Sequence, residues 1–182
     1  MKKLLSMVFY LSIFLLGGTG VVYAITEGVW QFPKNIKTYI EPGNHNTVMM
    51  QHAFQEWERV TNHNLGFKFV SSESTAKIRV YFVKKIDTKN EKSLDRAIGL
   101  TRSRASENSK RMFKATIWIA DFTQDGRKLS RDEVYTVMLH EIGHALGLNH
   151  SQDPKSVMYS GANVIQEISK DDLKNLSERY GW

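Results

Sequence analysis

The sequence has 182 residues, which suffices for one domain with a hydrophobic core and argues against two domains of ordinary size. Hydrophobic residues make up 41% of the chain and charged residues 24%, a balance that excludes wholesale disorder, and a net charge of +6 is too mild to indicate nucleic-acid binding. The absence of cysteine excludes disulfides, zinc thiolate sites and a cysteine nucleophile.

The N-terminal residues have the pattern of an export signal. Two lysines precede an almost wholly apolar run at 4–16, and the small-residue pattern at 22–24 is typical of a cleavage site. We therefore divide the chain into a signal peptide, 1–24, and one domain, 25–182, that is secreted to the extracellular side. The alternative is an uncleaved membrane anchor formed by 4–24, because a segment of that length just spans a bilayer.

Apolar periodicity predicts the elements of the domain in the order β-α-β-β-β-β-α-α. The strands are predicted at 36–40, 65–70, 77–83, 97–101 and 114–120. The helices are predicted at 47–60, from the capping residue Ser130 to Gly147, and from Ser169 to Tyr180. Loops are predicted at 84–96 and at the basic segment 102–114. This order indicates an α+β fold with a sheet on one side and helices packed beneath it.

The second helix carries the residues that indicate chemistry. Ser130 and Glu133 predict a capping box at its start. His140 and His144 are four residues apart, so their imidazoles project from one helix face and can reach one zinc ion. Glu141 is turned away around the helix and can contact a zinc-bound water without ligating the metal. Two such histidines can also be a polar surface pair, but the capped and amphipathic helix favours the metal site.

The residues after the helix complete this pattern. Gly147 provides the positive φ that a sharp turn requires, and the turn returns His150 as a third ligand. Three nitrogen ligands with an open fourth position are typical of catalytic zinc rather than structural zinc. The other histidines lack metal-ligand spacing, and we interpret them as surface residues: His45, His52 and His63.

Residues 140–150 fit the HExxHxxGxxH motif of the metzincin metalloproteases, and 151–159 resemble the matrixins, the family of the matrix metalloproteinases. Met158 stands where that family has its Met-turn. The resemblance extends more weakly over 30–182. It implies a metzincin-like α+β fold, with a twisted mixed five-stranded sheet packed on a zinc-binding active-site helix plus a C-terminal helix. It also implies a zinc metalloendopeptidase with one catalytic Zn²⁺ and Glu141 as the general base.

The resemblance also implies how a substrate binds. A protein or peptide would add as an extended strand to a sheet edge. The residues implied are Ile98, Gly99, Leu100 and Thr101 at that edge, Thr136 and Tyr159 at the pocket, and residues 160–166 at its rim. We expect a monomer that binds neither nucleic acid nor, once the signal is removed, a membrane.

Several departures limit the resemblance. No cysteine is present to plug the zinc, as the propeptide of the family does, and 84–121 contains no histidine for a second, structural zinc ion. The calcium-binding loops of the family are not recognisable, although Asp121 and Asp125 leave Ca²⁺ open. Ser160 replaces the proline that usually follows the Met-turn tyrosine.

Two other functions compete with an endopeptidase. A catalytically silent zinc module would keep the ligands and bind a protein partner, but Glu141 and all three histidines are present, so no residue supports loss of catalysis. An exopeptidase or a protease dedicated to one substrate would need features that the sequence does not reveal.

Overall fold

A computed structural model describes residues 7–15, 28–87, 96–106, 108–161 and 163–182. The rest of the predicted signal peptide lies outside the described residues, as does most of the predicted loop at 84–96. None of the helices formed by the described residues is long and apolar enough to cross a membrane.

One mixed sheet of seven strands forms the upper layer of the domain. Its strands are β1 (Met7–Leu15), β2 (Val29–Trp30), β3 (Ile36–Ile40), β4 (Phe67–Phe69), β5 (Ile78–Val83), β6 (Ala97–Ser106) and β7 (Arg111–Ala120). They are ordered β1-β6-β7-β5-β3-β4, and β2 also pairs with β7. The pairs β1–β6 and β6–β7 are antiparallel, whereas the other pairs are parallel. The five predicted strands are all present, and β1 and β2 join them.

Three helices complete the domain; the first two pack against the sheet, and the third adds Leu176 to the core. They are α1 (Thr47–Val60), α2 (Arg131–Ala145) and α3 (Lys170–Tyr180). Trp57 of α1 and Met138 of α2 are fully buried in one cluster with Ile78 and Ile117 of the sheet. Helix α2 lies beneath β6 and β7, where it contacts both strands. The predicted α+β fold, with a mixed sheet over the histidine-bearing helix, is confirmed.

The prediction of a basic loop at 102–114 is wrong, because most of this segment continues strands β6 and β7. The antiparallel pairing runs on through Arg102 opposite Thr116 and Arg104 opposite Lys114. The inward positions of this part of β6 are the small residues Ser103 and Ala105, both 0% exposed. The outward positions are charged, so the segment lacks the large apolar residues that mark a half-buried strand. Cross-strand pairing extends the hairpin beyond what the pattern predicts.

The predicted capping box at the start of α2 is confirmed. The backbone N–H of Glu133 donates to Ser130 Oγ at 3.2 Å, and the Ser130 N–H donates to Glu133 Oε2 at 2.7 Å. The guanidinium of Arg127 donates to both carboxylate oxygens of Glu133, at 3.0 and 2.9 Å. This hydrogen bonding lowers the pKa of Glu133 to about 2. The box fixes the first turn of the helix that carries the histidines.

We expect Ser130→Ala to lower the free energy of unfolding by about 1 kcal/mol, because the Glu133 N–H then loses its acceptor. Equilibrium denaturation in urea measures the loss, and Ser71→Ala, at an exposed position outside the helices, is the matched control. Equal stabilities of Ser130→Ala and Ser71→Ala would contradict a stabilising cap.

Candidate metal centre and active site

Three imidazoles converge at the C-terminal part of α2. His140 and His144 are 0% exposed, and His150 follows the helix after a turn. One ring nitrogen from each of the three lies within 4.8 Å of those from the other two. Within the described ranges this is the one group of three or more potential metal-ligating side chains brought together. The structure therefore assembles the three histidines that the sequence predicts as ligands.

The hydrogen bonds of the buried rings determine which nitrogens can bind a metal. His140 Nδ1 lies 2.7 Å from the Val157 carbonyl oxygen, and His144 Nδ1 lies 2.8 Å from that of Leu148. A carbonyl oxygen only accepts, so each Nδ1 carries the ring proton and each Nε2 keeps its lone pair. Burial lowers the pKa of His140 to about 3 and that of His144 well below its usual value. Both rings are therefore neutral at physiological pH.

The chemistry of this donor set fits zinc. The Nε2 atoms of His140 and His144 lie 2.9 Å apart, with no proton to share because each ring carries its proton on Nδ1. Two facing lone pairs repel, and a bound cation removes that repulsion. Imidazole nitrogens suit zinc, and three of them leave a fourth coordination position open. The residues present therefore fit a single catalytic zinc ion.

The turn that returns His150 depends on glycine at 147. Gly147 has a φ of +97°, in the left-handed region, and a Cβ there would lie 2.4 Å from the Gly28 carbonyl oxygen. The N–H of Leu148 donates to Gly143 at 2.9 Å, which closes the end of the helix. This turn directs the Leu148 carbonyl to His144 and leads the chain to His150.

Met158 lies in a buried turn against the same helix and is 1% exposed. A Cβ on Gly143 would lie 2.3 Å from the Met158 sulfur, so the lack of a side chain at 143 is what admits the methionine. The Met158 carbonyl accepts from the Ser151 N–H at 2.8 Å, which fixes the turn to the segment carrying His150. The structure thus places Met158 against the helix that bears two of the ligands.

Asp172 of α3 was not predicted as a site residue, yet its carboxylate bonds the backbone segment next to His140. It is 1% exposed, and its carboxylate accepts from the Ser156 hydroxyl and, at 3.1 Å, from the Val157 N–H. The same carboxylate accepts from the N–H of Ser169 at 3.0 Å. Val157 is the residue whose carbonyl orients His140. Asp172 therefore fixes the backbone that orients a ligand.

Glu141 is fully buried beside the histidines. Its Oε2 accepts from the Thr101 hydroxyl at 2.5 Å, and its Oε1 has no hydrogen-bond partner among the described residues. Burial raises the pKa of Glu141 to about 8, although the Thr101 bond acts in the opposite direction. A buried carboxylate with one oxygen free of partners is suited to exchange a proton with a water or substrate.

The other predicted substrate-binding residues occupy two regions. Ile98 and Leu100 of β6 are 1% and 6% exposed. Thr136 is 2% exposed, and its hydroxyl accepts from the Ile165 N–H at 3.1 Å, which ties α2 to the predicted pocket rim. Tyr159 packs against Gly161 at the start of that rim. The substrate-binding roles of these residues stay predictions.

The two aspartates for which the sequence left calcium binding open have different hydrogen-bond partners. Asp121 accepts from the Asn46 side-chain amide at 3.0 Å, whereas Asp125 accepts from the Thr123 hydroxyl within its own turn.

A buried helix with two imidazoles four residues apart, a third after a glycine turn and a carboxylate beside them defines a site of the zinc metallopeptidase class. The family model described as Matrixin matches residues 29–181. This chain therefore belongs to the matrixin family.

Individual relatives match over shorter stretches. Matrilysin of Homo sapiens is 39% identical over 61 residues, covering 31% of this chain and 22% of that protein. Metalloendoproteinase 1-MMP of Arabidopsis thaliana is 28% identical over 139 residues, covering 74% of this chain and 37% of that protein. The matches thus span well under two thirds of these relatives. The solved structure of myroilysin is similar with a TM-score of 0.49 and 17% identity, covering 87% of this chain and 98% of that one.

We expect the protein to bind one zinc ion per chain. Replacing any one of His140, His144 and His150 by alanine should weaken zinc binding by about 100-fold or more, because each supplies one of three ligands. Competition with a zinc-sensitive chelator dye measures the affinity. His52→Ala, at an exposed position on α1, is the control and should bind normally. Unchanged zinc affinity in all three ligand variants would refute the site.

We expect Asp172→Ala to weaken zinc binding by about 10- to 100-fold, because the Val157 backbone that orients His140 loses its acceptor. Asp171→Ala is the matched control, since Asp171 is the exposed neighbour on the same helix turn. The same chelator competition compares them. If both variants bind zinc equally well, Asp172 does not support the metal centre.

Proposed function

We propose that this protein is a secreted zinc-dependent metalloendopeptidase that hydrolyses peptide bonds of extracellular proteins, with Glu141 as the general base. The observation that carries the proposal is the buried Glu141 carboxylate, with Oε1 unpartnered, on the helix that presents two of three converging imidazoles. A site that only bound zinc structurally would need a fourth protein ligand and would not need this carboxylate.

The residues of the chain divide the catalytic work. His140, His144 and His150 would hold zinc, which supplies Lewis acidity that activates water and polarises the scissile carbonyl. Glu141 takes the proton of the attacking water and returns a proton to the leaving amine. Burial raises the pKa of Glu141 above its ordinary value, which makes its carboxylate a stronger proton acceptor than a solvated one. The buried surroundings strengthen these electrostatic interactions.

The outer edge of β6 is where we propose that the substrate binds as an extended strand. This edge can pair with an antiparallel strand, since the backbone of β1 does so, with Ile13 opposite Leu100 and Ser12 opposite Thr101. Removal of β1 with a cleaved signal peptide would leave that edge free for a peptide. The pairing of β1 with β6 supports this mode of binding because it uses the same backbone groups.

Secretion is proposed from the sequence of the first 24 residues, which have the basic start, apolar run and cleavage pattern of a signal peptide. The alternative remains a membrane anchor formed by 4–24. Both place the domain outside the cytoplasm, so both make extracellular proteins the accessible substrates. We propose a monomer; the three histidines that would hold the metal converge within one chain, so the metal site needs no residue of a second copy.

Glu141→Ala should lower kcat for a fluorogenic peptide library by about 1,000-fold or more, since the general base is lost. Zinc stoichiometry should stay at one ion per chain, because Glu141 is not a ligand. The matched control is Glu178→Ala, on the exposed face of α3, which should keep full activity.

The outcomes of this experiment separate the competing functions. A chelator should abolish wild-type cleavage, and zinc should restore it. Activity that survives in zinc-loaded Glu141→Ala would contradict the assigned base. A wild-type protein that binds zinc yet cleaves no peptide in the library would support the silent binding module instead.

A further inference from the structure

The hydroxyl of Thr101 lies on the carboxylate of Glu141, and no other side chain is shown to hydrogen-bond that carboxylate in the described part of the chain. We infer that Thr101 is a positioning residue: it holds Glu141 Oε2 and so reserves Oε1 for the proton of the attacking water. The distances from Thr101 Oγ1 are 2.5 Å to Oε2 and 3.1 Å to the Glu141 carbonyl oxygen. This inference rests on the proposed function of Glu141.

The geometry assigns the hydroxyl proton to the carboxylate. Both neighbours of Thr101 Oγ1 on Glu141 are oxygens that only accept while the carboxylate is ionised, and a hydroxyl has one proton to donate. The shorter contact, to the charged oxygen, is the stronger of the two. Thr101 is 1% exposed, so water does not compete for this bond. The hydroxyl therefore contributes a fixed donor to one defined oxygen of the base.

The strand that carries Thr101 also restricts the other side of the carboxylate. Gly99 is two residues earlier and faces the same way along β6. A Cβ on Gly99 would lie 2.5 Å from Glu141 Oε1 and 2.8 Å from its Cγ. The carboxylate thus packs directly on the strand backbone at 99 and is bonded at 101. These two contacts limit rotation of the carboxylate about its terminal torsion.

The backbone fixes Thr101 itself. Thr101 is paired with Ile117 of β7, so its Cα is held within the sheet. A β-branched side chain in a strand has few χ1 rotamers, and burial removes others. The hydroxyl is therefore prepositioned, and little conformational entropy is lost when it bonds the carboxylate. A general base held in one orientation transfers protons faster than one that samples several.

We test the inference with Thr101→Val and Thr101→Ser in the zinc-loaded protein. Valine keeps the shape without the donor, so kcat should fall by about 10- to 100-fold, as expected for a misoriented base, while KM changes less than about 2-fold. Serine keeps the donor and should restore kcat to within about 3-fold of wild type. Zinc content should remain at one ion per chain in both variants.

The matched control is Ser103→Ala, on the same strand and the same face. Ser103 is 0% exposed, and its hydroxyl has no partner among the described residues. Its removal should leave kcat and KM unchanged. Wild-type kcat in Thr101→Val would overturn the inference. Equal losses in the valine and serine variants, or a loss expressed in KM, would assign Thr101 a purely structural role and overturn it too.

A second readout does not depend on activity. Thr101→Val should lower the Tm of the zinc-loaded protein more in the wild-type background than in Glu141→Ala, because only the former leaves a buried carboxylate oxygen without its donor. Equal Tm shifts in the two backgrounds would contradict the hydrogen bond between Thr101 and Glu141 and overturn the inference. This comparison of Tm shifts remains informative if no peptide is cleaved. Failure of the proposed function and failure of the Thr101 assignment can therefore be distinguished.

Discussion

The burial of three polar side chains on one helix is the constraint on which this structure depends. His140, Glu141 and His144 are each 0% exposed, and polar groups removed from water are costly unless other groups in the protein satisfy them. The partners are the carbonyl of Leu148 in the turn that ends the helix, the carbonyl of Val157 and, from the sheet, the hydroxyl of Thr101. Each partner also sets the orientation of the group that it satisfies. The same contacts that make burial tolerable therefore prepare the site for metal and proton transfer.

The helix that carries these groups is held by aromatic donors from three other elements. Trp57 of α1 donates its indole N–H to the Leu139 carbonyl at 3.0 Å, and Trp30 of β2 donates to Ala145 at 2.8 Å. The Tyr180 hydroxyl of α3 donates to the Leu146 carbonyl at 3.0 Å. The last carbonyls of a helix lack partners within the helix. Two of these bonds satisfy such carbonyls close to the ligands, so the outer elements of the fold fix the end of α2 that bears the site.

Local sequence signals predict those parts of the site whose residues are close together in the sequence. They do not predict contacts between residues that are far apart in the sequence. The capping box at Ser130 and the turn at Gly147 follow from residues within one or two turns of each other. The Thr101–Glu141 hydrogen bond joins residues that are forty apart in the sequence. The inward-facing residues of the strand that carries Thr101 include glycine, threonine and serine rather than large apolar residues, so the apolar pattern does not reveal the contact. Asp172 looks like an ordinary acidic residue in the first turn of a helix, and only the packing of α3 shows that it also bonds the Val157 N–H.

Because orientation comes from the whole domain, metal binding and folding are linked. The metal ligands and Glu141 lie within eleven residues, yet the groups that orient them come from β6, the turn at Val157 and α3. An unfolded chain offers the same imidazoles without their Nδ1 acceptors, so it binds zinc less well than the native domain. The chain has no cysteine, so no disulfide stabilises it. Zinc that binds the native state more tightly than the unfolded chain stabilises the native state, and this stabilisation grows with the ratio of the two affinities. Conversely, a substitution that removes the hydrogen bonds of Asp172 or alters the turn at Leu148 both raises the free energy of the folded state and weakens zinc binding.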